Sequence, residues 1–120
     1  MAVIAVANTI KDILELVNDE NYFAYTIFIS FDFENLVHIK EMYPNASIQY
    51  LCYEYSDELA EDLLKNGFDL DINYTALSKE IVNNLKANGI KVNCWTVNNL
   101  NDANRLIEYG VNYITTNILE

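Results

Sequence analysis

Two carboxylates with an alternating spacing, Asp69 and Asp71, are the first residues of this 120-residue chain that could carry chemistry. They alternate with the apolar residues Leu70 and Ile72, and in an extended strand such alternation places both carboxylates on one face. Carboxylate oxygens are typical ligands of hard divalent cations. A solvated strand edge gives the same pattern without any ligand, and we favour that interpretation.

The histidine and the cysteines offer less chemistry. His38 is the single histidine and falls in a predicted helix, where we expect it to face solvent rather than act as an acid or base. Cys52 and Cys94 lie in strand-like runs and are predicted to be buried free thiols rather than a disulfide. The sequence contains no CxxC pair and no Cys/His cluster with the spacing of a metal site.

Trp95, the only tryptophan, lies near the carboxyl end of the strongest strand signal in the chain. That strand, Lys91–Val97, follows Gly89 and ends in the polar pair Asn98 and Asn99. Parallel α/β folds bind their ligands at the carboxyl ends of the strands. Trp95 is therefore a candidate ligand-contacting residue, with plain core packing as the alternative.

Three glycines recur at a nearly constant spacing and organise the second half of the chain. Gly67, Gly89 and Gly110 each follow a predicted helix, and an apolar residue follows each glycine. Such a glycine followed by an apolar residue is typical of a Schellman cap, in which the apolar residue contacts the last helical turn. The predicted contacts are Leu63 with Phe68, Leu85 with Ile90, and Leu106 with Val111.

Strand-like and helix-like runs alternate along the whole chain. The predicted strands are Ala2–Ala7, Tyr25–Phe31, Ser47–Tyr53, Asp69–Tyr74, Lys91–Val97 and Asn112–Thr116. Five helices separate them; the first follows Thr9, and the third directs Leu59, Leu63 and Leu64 inward. Such alternation predicts one α/β domain over residues 1–120, a parallel sheet of about six βα units. A partial TIM barrel and an open doubly wound sheet both fit this pattern.

Composition and charge exclude several classes of partner. The net charge of −11 opposes binding to nucleic acids and anionic membrane surfaces, which require basic patches. No apolar run approaches the roughly 18 to 20 residues of a membrane span. The apolar start, Met1–Ala7, lacks a preceding basic residue and makes a poor signal peptide, so we favour a cytoplasmic location for the chain as given.

Several stretches resemble the glycerophosphodiester phosphodiesterase family in order and spacing over nearly the whole chain. They are Ile29-Ser30-Phe31-Asp32 followed by Asn35-Leu36, Tyr50-Leu51, Ala87–Val92 with Trp95-Thr96-Val97-Asn98, and Gly110–Asn117. The resemblance implies a (β/α)8 barrel that cleaves glycerophosphodiesters to an alcohol and glycerol 3-phosphate, usually with a divalent cation, calcium or magnesium. It also implies that the strand of Trp95 is the seventh strand of such a barrel.

The chain departs from that family in two respects that bear on catalysis. The match covers only the later strands, so the family's first two strands, with its acid/base histidines and most metal ligands, have no counterpart. The third family strand reads Ile-Glu-Ile-Lys, whereas this chain has Ile4-Ala5-Val6-Ala7. We therefore predict no cofactor and no hydrolysis for the chain alone, as expected of an engineered or a degenerate barrel fragment.

The chain retains a set of candidate substrate-binding residues, and its incomplete barrel implies a partner. The resemblance places Trp95 against the glycerol part of a substrate, and Phe31, Leu51 and Asn73 are further candidates at the same strand ends. An incomplete barrel has open strand edges, so we expect a homo-oligomer, by default with twofold symmetry, or a complementary barrel fragment. Three functions follow: a silent fragment, an enzyme active only when complemented, or a module that binds a polyol or glycerol phosphate.

Overall fold

A computed structural model describes residues 3–6 and 26–117 of the chain. The chain divides into two compact units, Met1–Leu51 and Cys52–Glu120, which are described separately below. Both units follow one pattern, in which strands and helices alternate and neighbouring strands run parallel. None of the helices in these residues combines the length and the apolar character that crossing a membrane requires.

The first unit carries parallel strands with a helix between the second and third. Its elements are β1 (Val3–Val6), β2 (Thr26–Ser30), α1 (Phe33–Met42) and β3 (Ser47–Cys52), which ends at the boundary of the unit. Strand β2 pairs with β1 on one side and with β3 on the other. Asp32 begins α1, because its Oδ1 accepts the backbone N–H of Asn35 at 3.2 Å. The helix ends just before Pro44, which cannot continue it.

The second unit repeats the alternation three times. Its elements are α2 (Asp57–Asn66), β4 (Asp69–Asn73), a short 3-10 helix (Tyr74–Ala76), α3 (Lys79–Ala87), β5 (Val92–Trp95), α4 (Leu100–Tyr109) and β6 (Tyr113–Ile114). Strand β5 is central and pairs in parallel with β4 and β6. Each α-helix begins at a side-chain cap, supplied by Ser56, Ser78 and Asn99.

The helix ends confirm the predicted glycine caps. The backbone N–H of Phe68 donates to the carbonyl of Leu63 at 2.9 Å. The same bond joins Ile90 to Leu85 at 3.0 Å, and Val111 to Leu106 at 3.4 Å. These are the six-to-one hydrogen bonds of a Schellman motif, and each returns the chain from a helix to the next strand.

The two faces of β4 and β5 differ in chemistry. One face carries the apolar side chains of Leu70, Ile72, Val92 and Cys94, all fully buried. Cys94 packs in a cluster with Val97 and Leu106, so this face lies against the helices. The opposite face carries Asp71, Asn73, Asn93 and Trp95, since side chains alternate along each strand. We call these four residues the polar face.

The predicted elements agree with the structure except at a few positions. All six strands are present, most of them one or two residues shorter at one or both ends than predicted. The helix predicted after Thr9 lies outside the described residues. Leu63 is fully buried as predicted, but Leu64 is 54% exposed, so its predicted inward orientation is wrong. Two adjacent positions of a helix point about 100° apart, which leaves only one of them facing the sheet.

Candidate functional site

Trp95 lies at the carboxyl end of β5 and is held by two contacts. Its indole Nε1–H donates to the main-chain carbonyl of Asp71 at 3.3 Å. The ring of Tyr53 meets the indole edge to face, with centroids 5.1 Å apart and planes at 83°. Tyr53 is 61% exposed whereas Trp95 is half-buried, so the aromatic pair runs from solvent to the polar face. Such a pair offers apolar surface beside polar groups, as ligand sites do.

The register of the strands brings the polar face together. Asp71 lies opposite Asn93 in β5, and Asn73 lies opposite Trp95. The side chain of Asn93 accepts the hydroxyl of Thr115, with Thr115 Oγ1 3.0 Å from Asn93 Oδ1. Parallel pairing thus aligns side chains that are about twenty residues apart in sequence on one surface.

Asp71 is the electrostatic anomaly of this surface. Its side chain is only 4% exposed, and its Oδ1 has no hydrogen-bond partner among the described residues. Burial raises the pKa of this carboxyl to about 7, because a desolvated carboxylate is less stable than the neutral acid. The interpretation of Asp69 and Asp71 as a solvated edge is therefore wrong for Asp71. Asp69 is half-buried, and its Oδ1 accepts the backbone N–H of Lys91 at 2.9 Å.

The four predicted substrate-binding residues divide between the two units. Trp95 and Asn73 face each other in the second unit. Asn73 Oδ1 already accepts the backbone N–H of Thr75 at 3.1 Å and the Thr75 hydroxyl at 2.8 Å, so it caps the short 3-10 helix. In the first unit, Phe31 and Leu51 follow immediately after residues paired between β2 and β3; Phe31 is 51% exposed and Leu51 is half-buried. Substrate binding by these four residues stays a prediction.

The described residues hold no cluster of metal-ligating side chains. No group of three or more His, Cys, Asp or Glu side chains converges within residues 26–117. His38 lies on α1 with an exposed ring, 3.8 Å from the Glu41 carboxylate, in agreement with its predicted solvent-facing position. No step of a reaction is therefore assigned to a metal held by these residues.

The two cysteines are free thiols, as predicted; Cys94 is buried, whereas Cys52 is half-buried, so the predicted burial is wrong for Cys52. Burial raises the pKa of Cys52 and of Cys94 to about 12, and the nearby Asp71 charge acts in the same direction. A thiol with so high a pKa carries almost no thiolate at neutral pH and is a poor nucleophile. Neither cysteine is a candidate for covalent catalysis.

Sequence reasoning missed two features of this surface. Tyr53 follows β3 in a loop, and only the folded chain shows that it meets Trp95. The sequence signal for a buried Asp71 is its alternation with Leu70 and Ile72. A solvated strand shows the same alternation, so this signal does not predict burial.

Comparison with known proteins gives consistent results. A family model described as the glycerophosphoryl diester phosphodiesterase family matches residues 3–120. A glycerophosphodiester phosphodiesterase of Bacillus subtilis (strain 168) is 30% identical over 93 residues, which cover 73% of this chain and 32% of that protein.

Two solved structures are similar in fold. A glycerophosphoryl diester phosphodiesterase from Silicibacter pomeroyi superposes with a TM-score of 0.81 at 22% identity, covering 89% of this chain and 39% of that one. An Oleispira antarctica phosphodiesterase, solved with the product sn-glycerol-3-phosphate, gives 0.80 at 23% identity, covering 90% and 44%. These likenesses confirm the predicted fold class, a partial TIM barrel of the α/β class, over less than half of each relative's length.

Proposed function

The chain belongs to the glycerophosphoryl diester phosphodiesterase family, and we propose that it forms the later strands of a phosphodiesterase barrel without hydrolysing substrate on its own. The family match runs from residue 3 to residue 120, and the order of the motifs in the sequence supports a place among the later strands. In this proposal the chain contributes a substrate-contacting wall, and the acid/base and metal-binding groups come from elsewhere in a complete barrel.

The aromatic pair at the carboxyl end of β5 is the observation that carries the proposal. Trp95 is fixed by its hydrogen bond to Asp71 and by its contact with Tyr53. An indole held rigidly at a strand's carboxyl end can pack against the carbon atoms of a glycerol group. Supporting shells of this kind keep a contact residue in one orientation.

The distribution of positive charge supports the absence of hydrolysis by the chain alone. Among residues 26–117, the lysines, the arginine and the histidine lie on helices, apart from Lys91, which precedes β5 at its amino end. Cleavage of a phosphodiester requires positive charge or a metal on the phosphoryl oxygens and an acid for the leaving alcohol. The polar face supplies neither a cation nor a paired acid and base.

Hydrolysis of glycerophosphocholine in the presence of calcium or magnesium tests this proposal. We expect no turnover by the purified chain. We expect turnover to return when a polypeptide carrying the part of the Bacillus subtilis relative outside the aligned region is added. Turnover by the chain alone would overturn the proposal. A mixture that forms a stable complex without turnover would contradict complementation.

We propose that the chain associates with a second copy of itself when no complementary barrel fragment is present. Among the described residues, β1 pairs with β2 alone and β6 with β5 alone, so each has one side that no described strand pairs. Unpaired strand edges favour further strand pairing, and closed twofold dimers are the commonest outcome. Light scattering at increasing protein concentration tests this, and a monomer over the whole range would contradict it.

A polyol-binding module is the second candidate function. The exposed residue Tyr53 beside Trp95 favours it, because aromatic surface is available there without any catalytic group. Titration with glycerol and with glycerol 3-phosphate, followed by Trp95 fluorescence, tests it. A response to neither ligand at tens of millimolar would rule this function out.

A further inference from the structure

The unpartnered oxygen of Asp71 requires an explanation that the proposed function does not supply. The carboxyl group is 4% exposed, and its Oδ1 lacks a hydrogen-bond partner among residues 26–117. Buried polar atoms in folded proteins are nearly always paired, because an unpaired one loses its hydration without compensation. A carboxylate in this position is therefore a vacant acceptor for a donor that residues 26–117 do not contain.

The groups described around Asp71 carry no positive charge, and Asp69, two residues away on the same face of β4, is a second carboxyl. Asn93 lies opposite it in the strand pairing, and the Trp95 indole bonds to its main-chain carbonyl. Its charge also acts on the thiols of Cys52 and Cys94, both protonated at neutral pH. Since the described basic residues lie on helices or at the amino end of β5, nothing on this face compensates a negative charge.

Four kinds of group could occupy the vacant acceptor, and three of them fit poorly. An anion would be repelled by the carboxylate. A divalent metal would find fewer than three protein ligands, since the described residues hold no cluster of three. A neutral hydroxyl would pair with the oxygen but leave the buried charge uncompensated.

An ammonium group satisfies both requirements, because it donates a hydrogen bond and carries the opposite charge. The aromatic pair adds to this preference. The bond from Trp95 Nε1 to the Asp71 carbonyl brings the indole against the same residue, and Tyr53 continues the aromatic surface to solvent. A cation is attracted to the faces of such rings, most strongly to indole.

We propose that the Asp71 carboxylate, together with the Trp95 and Tyr53 rings, forms a binding site for an organic ammonium group. The site requires neither a phosphodiester nor hydrolysis, so it can be tested on the chain as it is. A negative result for ammonium binding would not contradict the proposed barrel function. A negative result for complementation would not contradict this binding site.

A titration of the Asp71 carboxyl carbon by NMR, on chain labelled with ¹³C-aspartate, tests the site. The probe is methylammonium chloride, with sodium chloride at equal ionic strength as the control for screening. A ligand of two heavy atoms binds no tighter than about the millimolar range, so the probe is raised to about 100 mM. In sodium chloride we expect the pKa near 7. In methylammonium we expect it below about 6, because a nearby cation stabilises the carboxylate.

Two variants and a second cation sharpen the test. Asp71→Asn should abolish the response of Trp95 fluorescence to methylammonium, whereas Asp69→Asn, on the same strand and face, should retain it. Tetramethylammonium, which cannot donate a hydrogen bond, should lower the Asp71 pKa less than methylammonium does. An equal pKa in methylammonium and sodium chloride would overturn the proposal. An unchanged fluorescence response in Asp71→Asn would overturn it as well.

Varying the protein concentration distinguishes two sources of the ammonium group, a lysine of a second copy of the chain and a small amine. If a lysine of a second copy of the chain supplies it, the Asp71 pKa in sodium chloride falls as protein concentration rises. If a small amine supplies it, that pKa is independent of protein concentration and responds only to the probe. Both results support Asp71 as the acceptor of an ammonium group.

Discussion

The indole N–H of Trp95 crosses from β5 to the main-chain carbonyl of Asp71 in β4, 3.3 Å away. This bond fixes the ring at the carboxyl end of its strand and satisfies a carbonyl beside an already unsatisfied carboxylate. Trp95→Phe keeps an aromatic ring but removes the donor. We expect it to lower the free energy of unfolding by about 1 to 2 kcal/mol, measured by urea denaturation and circular dichroism.

Tyr53→Phe is the matched control for that variant, because it retains the ring beside Trp95 and removes a hydroxyl from a residue that is 61% exposed. We expect its midpoint in urea to equal that of the unmodified chain. A Trp95→Phe variant as stable as this control would show that the bond to Asp71 contributes nothing.

The Tyr53–Trp95 contact predicts a measurable coupling between the two rings. Edge-to-face aromatic pairs contribute about 0.5 to 1.5 kcal/mol beyond their buried area. A double-mutant cycle with Tyr53→Ala and Trp95→Ala should give a coupling free energy in that range. A second cycle, in which Leu100→Ala at an exposed site on α4 replaces Tyr53→Ala, should give a coupling free energy below about 0.5 kcal/mol. Equal couplings in the two cycles would refute a specific ring contact.

The parts of the fold that sequence could predict are those fixed by local chemistry. Gly67 with Phe68 and Gly110 with Val111 determine helix ends within six residues, and the hydrogen bonds of both caps are present. Serine caps such as Ser56 act over three residues and are equally local. The positions of β4, β5 and β6 follow, because each begins two or three residues after a glycine cap.

The parts that sequence missed depend on residues distant in the chain. Asp71 is buried because strands pair around it, and its alternation with apolar residues cannot distinguish that arrangement from a solvated edge. Tyr53 reaches Trp95 across 42 positions of sequence, a contact for which no local pattern exists. The position of Trp95 in the candidate site could therefore be predicted from the sequence, whereas its contacts with Tyr53 and Asp71 could not.

The raised pKa of Asp71 predicts that the chain loses stability as pH rises. The carboxyl has a pKa of about 7 in the folded chain and near 3.8 when unfolded. Between these values the folded chain binds the proton more tightly, so stability is full below about pH 4 and is lost as pH rises through 7. The full loss is roughly 4 kcal/mol, since each pKa unit corresponds to about 1.4 kcal/mol.

Asp71→Asn should remove most of this dependence, because the amide is neutral at every pH. Urea unfolding at pH 5 and pH 8 measures the difference. Asp69→Asn serves as the control and should keep the dependence of the unmodified chain. A dependence that survives in Asp71→Asn would assign the buried titrating group to another residue.

The caps at Gly110 and Gly89 differ in the room they leave for a side chain. Gly110 has a φ of +94° and its carbonyl accepts the Lys86 ammonium at 2.7 Å; a Cβ there would lie 3.3 Å from Lys86 Nζ. Gly89 has a φ of +79°, and a Cβ there would meet no atom within 4 Å. Both positions strain an L-residue, by about 1 to 2 kcal/mol. Only Gly110 adds a steric conflict with a hydrogen-bonded lysine.

We therefore expect Gly110→Ala to destabilise the chain more than Gly89→Ala, by about 0.5 to 1 kcal/mol in urea unfolding. The excess should shrink in a Lys86→Met background, where the flexible side chain can move away without losing a bond to the cap. Equal costs at the two glycines would mean that Lys86 yields freely, and an excess that persists without Lys86 would mean that the backbone angle alone determines it.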